Sequence, residues 1–459
     1  MMDTAAASRI LGARLVGASV PFARVTSDTR TLQRGDLFVA LVGERFDGHD
    51  FVATAFERGA AAALVAEARA NDLGGNLVVV QDPLAALATL ATHWRRQFLL
   101  PVAVVVGSNG KTTVKEMLAT ILRAAFGDAA VLATQGNLNN AIGLPLTVLR
   151  LRAGHRAAVI ELGMNHPGET ATLAAVAQPT VAVVNNAQRE HQEFMRTVAD
   201  VAAEHAALPR ALPAGGVAVL NADDAFVGVW RDAIAPGAAA VEFALDHPAA
   251  VRGRYAAASG VLELATPAGN FDVRLATRGR HNAANALAAA TAALAMDVPV
   301  QAVVRGLEAF RPVAGRLVAL QSPTGAAVID DTYNANPDSV RAAIEVLAAA
   351  PAPRWLVLGD MGEVGAQGPG FHREAGAYAR EAGIEKLYTV GALAAEAAEE
   401  FGRAGRHLGS VEELTAQVVA DAAASANAGT TILVKGSRFM RMERVVAALV
   451  GAPVAAGVH

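Results

Sequence analysis

Short apolar runs bounded by turn-forming residues alternate along this chain with longer Ala-rich stretches, and that alternation predicts strands joined by helices. Near the start, "GDLFVAL", "AAALVAE" and "NLVVVQD" read as strands with helical segments between them. They define a small α/β unit over residues 1–100, closing at Leu100 and Pro101. A second series begins at "VAVVVG" and runs through "AAVIELG", "TVAVVNN" and "GVAVLNADD", the pattern of a parallel sheet with crossover helices. The Ala-rich "GRHNAANALAAATAAL" predicts a helix, and the Pro and Gly of "AFRPVAGRL" place a boundary near Arg311, so the second unit covers 101–311. Over 312–459, "GAAVIDDTYN", "RWLVLGD", "KLYTVG" and "TTILVKGS" predict the strands of a third α/β unit, expected to be Rossmann-like. No short-period repeat interrupts the series.

The second series opens on the chain's most informative stretch, "VAVVVGSNGKTTVKEML". The strict phosphate-loop pattern would require glycine at position 105, which is Val105. What remains is Gly107-Ser108-Asn109-Gly110-Lys111-Thr112-Thr113, shorter between the glycines but still strand, loop and helix in order. Backbone N–H groups of such a loop wrap a phosphate chain, and the helix start adds partial positive charge. Lys111 supplies a compact cation for the β- and γ-phosphates, and the Thr112 hydroxyl is placed to meet Mg²⁺. The middle unit is therefore expected to be a P-loop-type ATPase domain binding ATP or GTP. In "ELGMNHPGE", Glu161 ends an apolar strand where a carboxylate helps to bind Mg²⁺, and in "VVNNAQREHQE", Asn185 and Asn186 end another, followed by His191. Taken alone, His191 is as readily a surface or capping histidine as a functional one.

Composition narrows the class without naming it. At 459 residues, 53% of them apolar, the chain is long enough for two or three domains with large cores, and its 42 glycines and mixed charge argue against disorder. A formal net charge of −4 provides no basic field for nucleic acid or an anionic membrane, so an anion must be met by a local site. The absence of cysteine excludes disulfides, thiolate metal sites and a cysteine nucleophile. The opening "MMDTAAASRILGARLVGASV" lacks a basic region ahead of an apolar core, and no later run is long enough to span a bilayer. A cytoplasmic protein is expected, with no nucleic-acid partner and no stable membrane insertion. The lysines are only Lys111, Lys115, Lys386 and Lys435, which makes each of them conspicuous.

With these residues in view, the chain resembles the Mur ligase superfamily, over nearly its whole length. "SDTRTLQRGDLFVALVGERFDGHDF" is similar to the family's uridine-nucleotide segment, "GSNGKTT" to its ATP loop and "TQGNLNNAIGLP" to its muramoyl-substrate loop. "GRHNAANALAAA", "DDTYNANPDSV", "LGDMGEVG" and "VKGSRFMRME" follow in the family's order. The resemblance implies ATP-dependent ligation of D-alanyl-D-alanine to UDP-N-acetylmuramoyl-tripeptide through an acyl phosphate, with Mg²⁺, by a monomer. It implies that Ser27, Asp28, Thr29 and Arg30 meet the uridine nucleotide and that Asn137, Asn139 and Asn140 meet the muramoyl substrate. His281 and Asn282 are implied at the adenine, and Arg316 at the ATP phosphates from the last domain. Asp330, Asp331, Asn334 and Asn336 follow a strand end and are implied around the same nucleotide, with Asn336 on the substrate side. Thr112, Glu161 and His191 are the implied metal ligands, and Lys111, Glu161, His191 and Arg316 the catalytic set. Without the resemblance, "SDTR" also reads as a turn with Asp28 as a helix cap, and "DDTYNAN" as an Asx-rich turn.

One departure stands out. Several members of the superfamily hold a second Mg²⁺ with a carbamoylated lysine, but no lysine lies between Lys115 and Lys386; after His191 the chain has "VAAEHAAL". Glu204, His205 or water are the candidates for that position. The N-terminal "SDTRTLQRGDLFVAL" separates the chain from folylpolyglutamate synthase, which is not expected to carry a uridine-nucleotide domain. "TQGNLNNAIGLP" with "LGDMGEVG" favours the dipeptide-adding step over the step before it.

Overall fold

The computed structural model describes residues 1–424 and 429–452. Three large sheets follow one another along the chain, each flanked by helices. The first has five strands in the order Arg14–Val16, Leu77–Val80, Ala62–Ala66, Leu37–Val39, Val25–Thr26, parallel except at the Arg14–Val16 edge. The third has six, in the order Val318–Gln321, Ala327–Asp331, Thr431–Lys435, Arg354–Gly359, Lys386–Val390, Gly405–Leu408, and only its first strand is antiparallel.

The middle sheet has nine strands. Val131–Ala133, Ala157–Glu161, Val102–Val106, Val181–Val184, Val217–Asn221, Ala239–Ala244 and Val251–Ala256 run parallel in that order. The sheet then turns antiparallel through Val261–Thr266 and Gly269–Arg274. This meander adds an antiparallel edge to the parallel sheet expected for the unit. Its strands are half-exposed at the sheet's edge, as "VRGRYA" and "GNFDVR" alternate outward and inward, and an antiparallel hairpin tolerates one wet face where a parallel strand does not.

Val102–Val106 lies inside the sheet with every residue buried, as a continuous apolar, valine-rich run favours. Its alternate side chains feed two cores. Val102, Val104 and Val106 point to one shared with Leu87, Leu90 and Trp94 of the helix Pro83–Arg95, and Ala103 and Val105 to one shared with the helices Lys111–Phe126, Arg280–Leu294 and Val300–Ala309. The first core continues without a break into Leu37, Leu64 and Val78 of the first sheet. Gly306 allows the helix Val300–Ala309 to seat on the phosphate-loop helix, since a Cβ there would stand 2.4 Å from the Ile121 Cα.

The topology also decides where a ligand can sit. Val102–Val106 is paired with Ala157–Glu161 on one side and Val181–Val184 on the other, with Glu161 opposite Val105 and Val184 opposite Val106. The loops leaving these three neighbouring strands open a crevice at their carboxyl ends, the preferred ligand position of an open α/β sheet. Among the described residues, no helix is long and apolar enough to cross a membrane.

Candidate active site

The phosphate loop leaves Val106 and enters the helix Lys111–Phe126 through Gly110, whose φ of 82° is left-handed. A side chain at Gly110 would collide with Asn285 Oδ1 at 2.2 Å and Asn185 Nδ2 at 2.7 Å. That crowding comes from a lattice of amides that fixes the loop. Asn185 Nδ2 donates to Asn109 O (2.8 Å) and Asn285 Oδ1 (2.9 Å), and Asn186 accepts from Asn109 N (2.8 Å). Ser108 Oγ accepts from Gln188 N (2.8 Å). Asn282, at the start of its helix, gives its amide to Arg278 O (2.9 Å) and accepts from Asn285 (3.3 Å), so its polar end is turned inward.

Lys111 Nζ donates to Gly107 O, to Ser108 O (3.3 Å) and to Glu190 Oε2 (3.1 Å). Thr112 Oγ1 and Asn139 Nδ2 both donate to Glu161 Oε1, at 3.2 and 2.7 Å, while the buried Glu161 Oε2 has no hydrogen-bond partner. Glu190 is 5% exposed and enclosed by basic side chains: beyond Lys111, His205 Nε2 lies 3.3 Å from Oε1 and His191 Nε2 3.7 Å from Oε2. Burial alone pushes this carboxyl up, but Lys111, His205 and His191 outweigh it and hold it at about 2. Nδ1 of His191 comes within 2.6 Å of Glu363 Oε2, and that contact keeps the Glu363 carboxyl below its ordinary range. His191 and Glu363 both have left-handed backbones, φ 49° and 58°, the local strain that collects at functional sites.

Residues of the third sheet's unit complete the crevice. Asn336 caps the helix Pro337–Ala348 and donates from Nδ2 to Asn109 Oδ1 (3.0 Å). Arg316 lies 4.0 Å from the centre of the Tyr333 ring, and its buried Nε lacks a partner. Lys435, also buried, pairs with Asp331 at 2.5 Å and donates to Asn334 O (2.9 Å). Burial lowers the pKa of His281, and the charges of Asp331 and Lys435 act on it across the crevice. Asp330 is engaged locally, accepting from Gly315 N and from the Thr332 hydroxyl.

Thus Gly107–Thr112, Glu161, His191, Asn139 and Asn336 belong to one cluster, with His281, Arg316, Asp331 and Asn334 in the adjoining group; Thr113 follows Thr112 on the same helix. Other expected residues stand apart. Asn140 is engaged locally, accepting from Ile142 N and Gly143 N just ahead of the helix Gly143–Val148, and Asn137 is exposed in the same loop. Ser27, Asp28, Thr29 and Arg30 form a turn of the first unit, where Arg30 folds onto Asp28 at 2.9 Å and Arg58 donates to Thr29 O. Glu204 is excluded from the metal position offered to it: its carboxylate accepts from Gly168 N (2.8 Å) and Thr170 N (2.7 Å) at the start of the helix Glu169–Ala177. Gln188, Glu190, Asn285, Glu363 and Lys435 were not singled out for the site. Lys435 had a signal in the scarcity of lysine, and Glu190 in its place beside His191.

The donor set suits Mg²⁺. Among the described residues no three His, Asp or Glu side chains form a ready cage, and Mg²⁺ binds through one or two carboxylates together with phosphates and water. The orphaned Glu161 Oε2 beside the Thr112 hydroxyl offers such hard oxygen ligands.

A strand, phosphate loop and helix at the carboxyl edge of a parallel sheet, capped by a second α/β unit, define a nucleoside-triphosphate-binding protein. Family models match in three blocks: the Mur ligase family catalytic domain over 21–95, the Mur ligase middle domain over 105–293 and the Mur ligase glutamate ligase domain over 315–438. The chain belongs to the Mur ligase family. It is 40% identical to the UDP-N-acetylmuramoyl-tripeptide--D-alanyl-D-alanine ligase of Escherichia coli, with 96% of each chain covered. The enzyme of the same name from Haemophilus influenzae is 36% identical, with 98% of each covered. A crystal structure of MurF from Acinetobacter baumannii superposes with a TM-score of 0.90 at 33% identity, covering 98% of this chain and 99% of that one. MurF from Thermotoga maritima in complex with ADP gives 0.80 at 26% identity, covering 93% and 97%.

Proposed function

We infer that this chain ligates D-alanyl-D-alanine to UDP-N-acetylmuramoyl-tripeptide with ATP, working as a cytoplasmic monomer and through an acyl phosphate. The observation that carries the reading is the meeting of the middle unit's phosphate loop and His191 with Asn336 and Glu363 of the third unit, Asn336 bonding Asn109 and Glu363 lying against His191. Full-length similarity to relatives bearing that activity supplies the substrates.

A carboxylate does not condense with an amine in water, because its oxygen is a poor leaving group. In the first step the terminal carboxylate of the tripeptide attacks the γ-phosphorus of ATP and ADP departs. In the second the dipeptide amine attacks the acyl carbon, phosphate departs, and the amine releases a proton. No protein nucleophile is required, in keeping with a chain without cysteine. Lys111 and the Gly107–Gly110 backbone hold the phosphates and offset charge on the transferring group. Thr112, Glu161 and His191 would hold Mg²⁺, which when bound supplies further neutralisation of that charge. Arg316 brings a second fixed cation from the opposite wall, with its Nε free to donate. Asn139, tied to Glu161, lies between the metal side and the muramoyl substrate, and His281 and Asn282 border the adenine. Ser27–Arg30 hold the uridine nucleotide from the first unit; Arg30 exchanges its exposed pairing with Asp28 for the pyrophosphate. Closure of the third unit, which takes the dipeptide, excludes water from the acyl phosphate.

The test is mass spectrometry of products formed from competing UDP-muramoyl-tripeptides with ATP and the dipeptide. A product heavier by one dehydrated dipeptide, with phosphate release dependent on both substrates, is expected. Phosphate release independent of the dipeptide would refute ligation.

A further inference from the structure

We propose that Glu190 is a metal-ligating carboxylate of this site, holding a second divalent cation together with His191. The proposal rests on the reading of Thr112, Glu161 and His191 given above, and fills the position for which the sequence offered Glu204, His205 or water. Glu204 is already committed to capping the helix Glu169–Ala177. His205 is buried and directs Nε2 at Glu190 rather than at the loop.

Glu190 has the location, reach and unmet valence that the role demands. It leaves the strand Val181–Val184 on the same loop as His191, and Oε2 stands 3.1 Å from Lys111 Nζ and 3.7 Å from His191 Nε2. It therefore points to the phosphate end of the loop. Its other oxygen, Oε1, is buried with no hydrogen bond of good geometry, His205 Nε2 standing 3.3 Å away. A buried carboxylate oxygen without a donor is rare and calls for an ion or water. Meanwhile Nδ1 of His191 lies 2.6 Å from Glu363 Oε2, and its Nε2 faces Glu190 at 3.7 Å, on the side where an ion would meet the imidazole. A fixed carboxylate here makes carbamate chemistry unnecessary.

The test counts Mn²⁺ bound to the full-length protein by electron paramagnetic resonance, with β,γ-methylene ATP present. The wild type is expected to take two ions. Glu190→Gln should weaken one of them at least tenfold while the other is retained, and Glu190→Asp, which keeps the charge but shortens its reach, should weaken it less. A thermal melt of each variant reports folding, and Glu190→Asp carries the measurement if Glu190→Gln does not fold. Unchanged Mn²⁺ affinities in both variants, with only nucleotide affinity reduced, would show that Glu190 merely positions Lys111 and would overturn the proposal. So would a single Mn²⁺ in the wild type, or a site that disappears on bicarbonate depletion and returns with it. Glu161→Gln separates the underlying reading: no effect of that variant beside a loss in Glu190→Gln would remove Glu161 from the metal site and leave Glu190 in it.

Discussion

Arg189 joins the loop of the middle unit to two helices of the third, and its removal should loosen that junction. Nε and Nη2 donate to Asp338 Oδ1 at 3.1 and 2.6 Å, and Nη1 and Nη2 to the two oxygens of Glu374 at 2.6 and 3.0 Å. The guanidinium also lies 5.2 Å from the centre of the Phe371 ring. Burial opposes the charge, but Glu374 and Asp338 more than offset it and raise the guanidinium pKa. Arg189 and Asp338 are each 22% exposed and Glu374 41%, so the junction lies between a surface pair, worth up to ~1 kcal/mol, and a buried one, whose rupture costs ~3–5 kcal/mol. Arg189→Ala keeps the backbone N–H bond to Asp338 Oδ2 (2.8 Å), which limits the loss to about 1–2 kcal/mol, a shift of roughly tenfold in the opening equilibrium. Because the chain has no cysteine, a pair introduced at the exposed Arg210 and Arg403 can be labelled cleanly for single-molecule energy transfer. The variant should populate the long-distance state about tenfold more, and Arg189→Lys, lacking the planar fork, should fall between the two. The KM for the dipeptide should rise with the open population. Identical distance distributions in wild type and Arg189→Ala, with and without nucleotide, would refute the reasoning.

Lys111→Ala should abolish product formation and also lower stability by about 3 kcal/mol, because it leaves the buried Glu190 without its nearest cation; a variant that ligates at the wild-type rate would contradict the loop assignment, and an unchanged melt the pairing. Gly306→Ala should destabilise by about 1–3 kcal/mol in a denaturant titration, since the added methyl meets the Ile121 backbone at 2.4 Å. His372 is fully buried, accepts from Met361 N (3.0 Å) and bonds Gly368 O (2.7 Å), and burial lowers its pKa below the ordinary 6.5. Its neutral form is the folded one. The unfolded chain therefore binds the extra proton, and stability should fall as pH drops below 6.5, by at most about 1.4 kcal/mol per pH unit from this residue. Chemical unfolding at pH 7 and pH 5 should show a smaller pH difference in His372→Gln than in the wild type.

The local parts of this protein were readable from residue order alone, because they depend on short-range rules. The apolar run Val102–Val106 reads as a strand buried on both faces, and Gly110 followed by Lys111-Thr112-Thr113 reads as the start of a helix facing an anion. The strands at Ala327–Asp331, Arg354–Gly359, Lys386–Val390 and Thr431–Lys435 were visible for the same reason. The half-wet meander Val251–Arg274 was not, since its weaker alternation competes with turn-like composition.

What joins distant residues was settled by the tertiary structure. Strand order set Glu161 and Asn185 on either side of the loop, a consequence of pairing that no spacing in the chain expresses. Glu204 and His205 are neighbours in sequence, yet a helix turns one to the Gly168 backbone and the other to Glu190, because consecutive helical residues point about 100° apart. Glu190 reads as one more solvated charge until folding buries it among Lys111, His191 and His205. Sequence declares which groups can carry charge; only the packed structure decides which are stripped of water, and desolvation is what turns a carboxylate into a candidate ligand.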